Sequence, residues 1–194
     1  MLEKLIEMIL EKSFQVSESP TFKLASGKLS KYYINCKPTT LNPEGMYLIG
    51  NIIFDKIRDI KIDAIGGISL GANPIADAVS MISYQKGKFI KPFYVREKIK
   101  DHGIVNKIEG DICKGDRVII VDDVITTGSS TIKAIECARE EGLEVVKVIV
   151  LVDREEGGKK KILDHVGECD SIIKMSHLLE KFDARHLKER STSG

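Results

Sequence analysis

The segment VIIVDDVITTGSST, Val118 to Thr131, places two adjacent carboxylates between an apolar run and a run of hydroxyl residues. Val118 to Val121 read as a strand buried in a sheet, which predicts that the strand ends at Val121. Asp122 and Asp123 then stand on the rim, and Thr126, Thr127, Gly128, Ser129 and Ser130 form a turn at the start of a helix. In open α/β sheets, ligands bind beyond the carboxyl ends of the strands. Small residues there let backbone N–H groups converge on an anion, and the helix dipole adds favourable charge. Each charge-assisted hydrogen bond contributes about 1.5–3 kcal/mol and the dipole about 0.3–1, so a few such bonds dominate the binding of one phosphate. Adjacent aspartates repel that phosphate unless they serve another part of the same molecule. Carboxylates accept hydrogen bonds from hydroxyls, so a ligand with a phosphate at one end and a diol at the other, such as ribose 5-phosphate, satisfies both halves. A solvated Asp pair followed by an ordinary helix cap is the plainer reading. The apolar run before the pair and the small residues after it make that the weaker one.

Two further segments carry charge in useful places. VREKIKDHG supplies Arg96, Lys100 and His102 within seven residues of a glycine-containing loop. Preorganised cations stabilise negative charge that develops on a leaving group, although a solvated surface loop has the same composition. Arg154 follows the apolar run Val145 to Val152 and shares the rim with the aspartates. A guanidinium there suits a planar carboxylate held bidentately. A surface arginine beside Glu155 and Glu156 is the alternative.

The elements that must position these residues follow from periodicity. Apolar residues at helical spacing predict a helix over Leu2 to Lys12, and Pro43 opens a second running to about Arg58. FKLASGKLSKYYIN, Phe22 to Asn35, reads as a hairpin turning at Ser26-Gly27. Asp63 to Ile68, Phe89 to Val95 and Arg117 to Val121 read as strands. So do Val145 to Val152 and Ser171 to Met175. Helices are expected over Pro74 to Gln85, Ser129 to Glu141 and His177 to Phe182. Arg96 to Asp111 reads as a long loop or irregular hairpin, DREEGGKKK as a loop, and Ser191 to Gly194 as a disordered tail. Strands alternating with helices predict an α/β fold with a parallel sheet and right-handed crossovers. The early hairpin breaks the alternation and reads as a small N-terminal hood subdomain over the sheet.

The chain has 194 residues, with 30 Lys and Arg against 29 Asp and Glu, for a net charge of +1. That length suits one domain, residues 1–194, with a hood of about 1–40 joined by the C-terminal part and a core of about 41–175. The balanced charge offers no general field for nucleic acid or an anionic membrane. No apolar run reaches the roughly 18 residues of a membrane span, and the acidic, amphipathic N-terminus is unlike a signal peptide. Cys36, Cys113, Cys137 and Cys169 have neither C-x-x-C pairing nor a histidine at zinc spacing. They are expected to be reduced, mostly buried thiols of a cytoplasmic protein.

VIIVDDVITTGSST resembles the phosphoribosyl diphosphate (PRPP) binding motif of type I phosphoribosyltransferases. FKLASGKLSKYYIN, KPTTLNPEGMYLIG, VREKIKDHG and LVDREEGG make the chain most similar to the orotate phosphoribosyltransferases, over nearly its whole length. The resemblance implies a type I phosphoribosyltransferase-like sheet flanked by helices. It implies transfer of the phosphoribosyl group from Mg-PRPP to orotate, giving orotidine 5′-monophosphate and pyrophosphate for pyrimidine synthesis. It also implies a homodimer in which the Arg96–Asp111 loop reaches the neighbour's site. PRPP would be bound by Arg96, Lys100 and His102 together with Asp122, Asp123, Val124, Ile125 and the Thr126–Ser130 turn. The catalytic residues would be Lys100, His102, Asp122 and Asp123, and orotate would meet Thr126, Arg154, Tyr32 and Tyr33. Tyr32 and Tyr33 also fit alternating core and surface positions on a strand. Mg²⁺ would be held through ligand oxygens and water, without a direct protein ligand.

Many members of that family have lysine where this chain has Glu97 and Ala25, with Lys28 a substitute for the latter. Many have Tyr-Lys in place of Leu70 and Gly71. Ser69 to Asn73 are still expected to offer backbone N–H groups, because glycine permits close approach. A purine-base transferase and a PRPP-sensing regulator are the alternatives. The regulator would need a DNA-binding appendage.

Overall fold

The computed structural model describes residues 1–23, 27, 29–96 and 107–192. Helix α1 (Leu2–Lys12) turns Leu5, Ile6, Met8 and Ile9 inward. Short strands β1 (Phe14–Val16), β2 (Phe22–Lys23), β3 (Leu29–Ser30) and β4 (Tyr32–Ile34) follow. A helical turn α2 (Lys37–Thr40) leads to α3 (Pro43–Ile57). Asn42 starts α3 by accepting from the N–H groups of Glu44 and Gly45, and Pro43 occupies the position whose N–H would be unused.

The main body then alternates β5 (Ala64–Ile68), α4 (Asn73–Gln85), β6 (Lys91–Val95), β7 (Ile108–Gly110), β8 (Arg117–Ile125) and α5 (Ser129–Glu140). It ends with β9 (Glu144–Asp153), α6 (Gly158–Leu163), β10 (Cys169–Lys174) and α7 (Met175–Thr192). Six strands form one sheet in the order β10-β9-β8-β5-β6-β7. All neighbours are parallel except the edge pair β6–β7. On one face, Ile119, Val121, Ile149 and Leu151 pack with residues of α1, α3 and α4. On the other, Val118, Ile120, Val148 and Val150 pack with Ala134, Ile135 and Ala138 of α5 and Ile162 of α6. Successive residues of β8 and β9 therefore serve opposite cores, which is why Val118–Val121 and Val148–Val152 are continuously apolar.

Four differences from the expected elements matter. Strand β8 does not stop at Val121: its ladder with β9 continues to the pair Ile125–Asp153. Its ladder with β5 ends at Gly66–Ile120, so Asp122 and Asp123 lie on an extension paired along one edge. Charge did not end the strand, because a neighbouring strand was present to satisfy the backbone. The expected hairpin is also shorter. Strand β2 pairs with β3, whereas β4 pairs with β1 and sets Tyr32 opposite Val16 and Tyr33 opposite Gln15. Gly27 of its turn has φ +81°, and Ser26 lies outside the described residues. DREEGGKKK contains the start of α6, and the last helix spans Met175–Thr192, where a short helix over His177 to Phe182 and a disordered tail from Ser191 were expected.

Helix α7 joins the N-terminal elements. Phe182 meets Phe14 edge-on at 5.5 Å, Lys181 pairs with Glu3 at 2.6 Å, and Leu178 is fully buried. Among the described residues no helix is long and apolar enough to cross a membrane. Leu178→Ala should lower stability by about 2–5 kcal/mol in denaturant unfolding. A loss below about 0.5 kcal/mol would show that α7 is peripheral to the core.

Candidate active site

The two aspartates point to opposite faces of β8. Asp122 continues the face of Val118 and Ile120, toward α5, and is 5% exposed. Its Oδ2 accepts from Thr131 Oγ1 at 2.6 Å and from Ser130 Oγ at 3.2 Å, while its Oδ1 accepts from the Asp123 N–H at 3.0 Å. Burial raises the Asp122 pKa to about 6, with the Asp123 charge adding to the rise and the hydroxyl donors opposing it. Asp123 faces the other way and is more open. Its Oδ1 accepts from the Val124 N–H at 2.9 Å. A Cβ on Gly71 would lie 2.5 Å from that oxygen, so the β5–α4 connection touches Asp123 only because residue 71 is glycine.

The Thr126–Ser130 segment forms the predicted turn. Gly128 takes φ +78° immediately before α5, and the Ile132 N–H reaches back to the Gly128 carbonyl at 2.9 Å. The N–H groups ahead of Ile132 have no partner within the helix. With the dipole behind them, they can donate hydrogen bonds to an anion placed there. Thr127 and Ser129 link their hydroxyls at 3.0 Å. The turn is braced from behind by Gly158, the first residue of α6. A Cβ there would meet the Thr126 carbonyl and, at 2.8 Å, the Gly128 nitrogen. This brace was not foreseen in the sequence. The signal for it was the Gly157-Gly158 pair directly after DREE.

Sheet order divides the rim around β8. Strand β9 ends beside it at Asp153, and the N–H of the next residue, Arg154, donates to the Ile125 carbonyl at 3.1 Å. The guanidinium is buried, with Nε on Glu156 Oε1 at 2.7 Å and a terminal nitrogen 3.5 Å from the Tyr32 carbonyl. The arginine therefore has a carboxylate partner already and sits between β9 and the N-terminal ribbon. Glu155 accepts from the Ser176 N–H at 2.8 Å and starts α7, which lowers its pKa. Tyr32 stacks on Phe14 at 5.9 Å and Tyr33 on Phe22 at 5.4 Å, so the two rings take opposite sides of β4.

On the other flank, β5 leads into Ser69–Asn73, where the Ser69–Leu70 peptide is cis. Asn73 Oδ1 is buried without a hydrogen-bond partner. Arg96 lies at the end of β6 and is held by Glu109 of β7, with Nε donating to Oε1 at 2.9 Å. Lys100, His102, Glu97, Ala25 and Lys28 lie outside the described residues. The structure thus gathers Asp122, Asp123, Val124, Ile125, the Thr126–Ser130 turn and Arg154 around the end of β8. Arg96 sits two strands away at β6. Cys36 is fully buried, and its thiol is pushed well above its ordinary range by burial and then by the charge of Asp123. Cys169 is also buried, but Cys113 is exposed, against expectation. Among the described residues no group of three or more His, Cys, Asp or Glu could hold a metal ion.

The raised Asp122 pKa has a definite sign for stability. The folded state favours the neutral acid, so the benefit is full below the unfolded value near 4 and is lost as pH rises toward 6. A rise from 3.8 to about 6 corresponds to roughly 3 kcal/mol at most. Asp122→Asn should therefore gain stability relative to the parent between pH 4 and pH 7, measured by urea unfolding, while losing activity. Parallel stability curves would show that Asp122 titrates normally.

Residues 40–185 match the family model for the phosphoribosyl transferase domain. The chain is 46% identical over 177 residues to the orotate phosphoribosyltransferase of Aquifex aeolicus, covering 91% of this chain and 97% of that protein. It is 41% identical over 182 residues to the enzyme of the same name from Rhodopseudomonas palustris, covering 92% and 96%. The Mycobacterium tuberculosis orotate phosphoribosyltransferase solved with PRPP superimposes with a TM-score of 0.72 at 26% identity, covering 91% of this chain and 90% of that one. A strand carrying paired aspartates, a braced small-residue turn at the start of a helix and these likenesses converge: the chain belongs to the phosphoribosyl transferase family, in the group of the orotate phosphoribosyltransferases.

Proposed function

We propose that the chain transfers the 5-phosphoribosyl group of PRPP to orotate, releasing pyrophosphate and forming orotidine 5′-monophosphate for pyrimidine synthesis. The observation that carries this reading is the position of Asp123. It lies on the strand that ends in the anion turn, against the Ser69–Asn73 connection on one flank, with Arg154 at the end of the strand on the other. The 5-phosphate occupies the Thr126–Ser130 turn, and the ribose hydroxyls donate to the aspartates. Asp122 already accepts three bonds, so Asp123 is the more available acceptor. Its charge lies beside the ribose carbon that becomes cationic as pyrophosphate leaves. Orotate binds on the Arg154 side, where the guanidinium exchanges Glu156 for the substrate carboxylate or serves both. Thr126 and the β4 tyrosines complete that side. Arg96, Lys100 and His102 meet the diphosphate.

Mg²⁺ belongs to this reading. It prefers phosphate oxygens, water and one or two carboxylates. The residues present suit such an ion held through water: Asp123 is a partly exposed carboxylate that can accept from the ion's water shell. When bound, the ion offsets the charge of the diphosphate. The free cysteines suit the cytoplasm.

Purified protein with Mg²⁺ and PRPP should consume orotate, followed by absorbance, and leave hypoxanthine and adenine unchanged. Consumption of a purine base instead of orotate would overturn the assignment. Arg154→Ala should raise KM for orotate by roughly 30- to 1,000-fold, from a loss of about 2–4 kcal/mol, and move KM for PRPP far less.

We also propose a homodimer with shared sites. Strands β6 and β7 are adjacent and antiparallel, yet residues 96–107 join them where a turn of two to five suffices. The excess length serves the neighbouring subunit's site. Lys100→Ala and Asp123→Ala should each be nearly inactive. Random exchange makes about half of the dimers hybrid, in which one site carries both lesions and the other neither, so about a quarter of all sites recover. Verified exchange without recovery would place the loop in its own subunit's site.

A further inference from the structure

Lys37 opens α2, just after β4, and its side chain lines a cavity of about 240 Å³ with Leu41, Met46, Leu70, Asn73 and Asp77. The cavity lies between α2, α3 and the β5–α4 connection, so it adjoins the loop that touches Asp123 through Gly71. That loop, Ser69-Leu70-Gly71-Ala72-Asn73, carries no cation of its own. Lys37 is the cation lining the cavity among the described residues. Asp77, the acid there, is engaged by the Tyr94 hydroxyl. The walls beside Lys37 are the apolar side chains of Leu41, Met46 and Leu70. A lysine stem lies along such a surface and keeps its ammonium at the edge.

Sheet order says what lies at that edge. A ribose over Asp123 has two flanks: Arg154 at the end of β9, and the Ser69–Asn73 loop after β5. With the base on the arginine side, the group leaving from the opposite face of the sugar lies over the loop. We infer that Lys37 is a diphosphate-binding residue, supplying from α2 the positive charge that the Ser69–Asn73 loop lacks. The assignment rests on the phosphoribosyl transfer proposed above and adds a contact to it. The ammonium is a mobile point charge rather than a planar fork, so it follows the diphosphate as the bond to the sugar lengthens and pyrophosphate departs.

The test separates this contact from the reaction itself. Wild type is first assayed with orotate and PRPP. Failure there overturns the proposed function, and with it the role of Lys37. If wild type is active, Lys37→Ala should raise KM for PRPP by about 10- to 150-fold, the loss expected of one charge-assisted hydrogen bond, with KM for orotate nearly unchanged. Binding of inorganic pyrophosphate with Mg²⁺, measured by calorimetry, should weaken by a similar factor. Lys37→Arg should recover most of both, and Lys37→Gln neither. Lys37 is exposed, so these variants should keep the parent melting temperature. Unchanged PRPP and pyrophosphate constants in Lys37→Ala would overturn the assignment. So would equal rises in both KM values, or a failure of Lys37→Arg to recover pyrophosphate binding.

Discussion

The Asp122 carboxylate holds strand β8 to the first turn of α5, and the site is arranged around that attachment. One of its oxygens takes the hydroxyls of Ser130 and Thr131, and the other takes the next N–H of its own strand. A carboxylate with 5% exposure is costly unless it is well bonded. These bonds offset part of that cost, which is why the pKa is raised only to about 6, and they fix where the helix begins relative to the strand. The anion turn between them has its length and direction set by this link. Asp123, one residue on, is thereby turned to the opposite face and left accessible. A pair that looks symmetrical in the sequence divides into one residue that secures the turn and one left with an accessible carboxylate.

The rim reads outward from this point. Strand β8 runs past the end of its ladder with β5, paired on its other side with β9, which β10 flanks to Asp153, so the extension of β8 is unpaired on the β5 flank. The extension carries the aspartates, and Arg154 follows the end of β9 beside it. The β5 flank is filled by a connection that approaches closely because residue 71 has no side chain. The N-terminal ribbon and α7 close over the β9 side, tied together by Phe14, Phe182 and the Glu3–Lys181 pair.

Much of this was legible in the residues. The α/β alternation, α1 to the residue and the turn at Thr126–Ser130 follow from local pattern, because periodicity and small-residue clusters are read within a few positions. The end of β8 was misplaced because its continuation depends on β9, a partner more than 20 residues away, and strand propensity yields to such pairing. The partner of β4 was missed for the same reason: β1 and β3 both flank it in sequence, and only packing of Tyr32 on Phe14 decides. The opposite facing of Asp122 and Asp123 follows from the two-residue period of a strand once the strand is known to include them. Arg154 was legible as a rim residue, but its bond to Glu156 was not, since two nearby acids were available and the other starts α7.

Gly158 has a wider consequence. The short segment from Arg154 to Gly158 carries the buried guanidinium at one end, while its other end presses on the backbone of the Thr126–Ser130 turn. A displacement at either end is transmitted along five residues to the other. If the proposed subsites lie at these two ends, filling one would alter the free energy of filling the other, and thermodynamic linkage requires the two effects to be equal. Under the proposed reaction, the order of substrate uptake would then depend in part on this segment, and exchanging Glu155 to Gly157 would retune the coupling while leaving Arg154 and the Thr126–Ser130 turn in place.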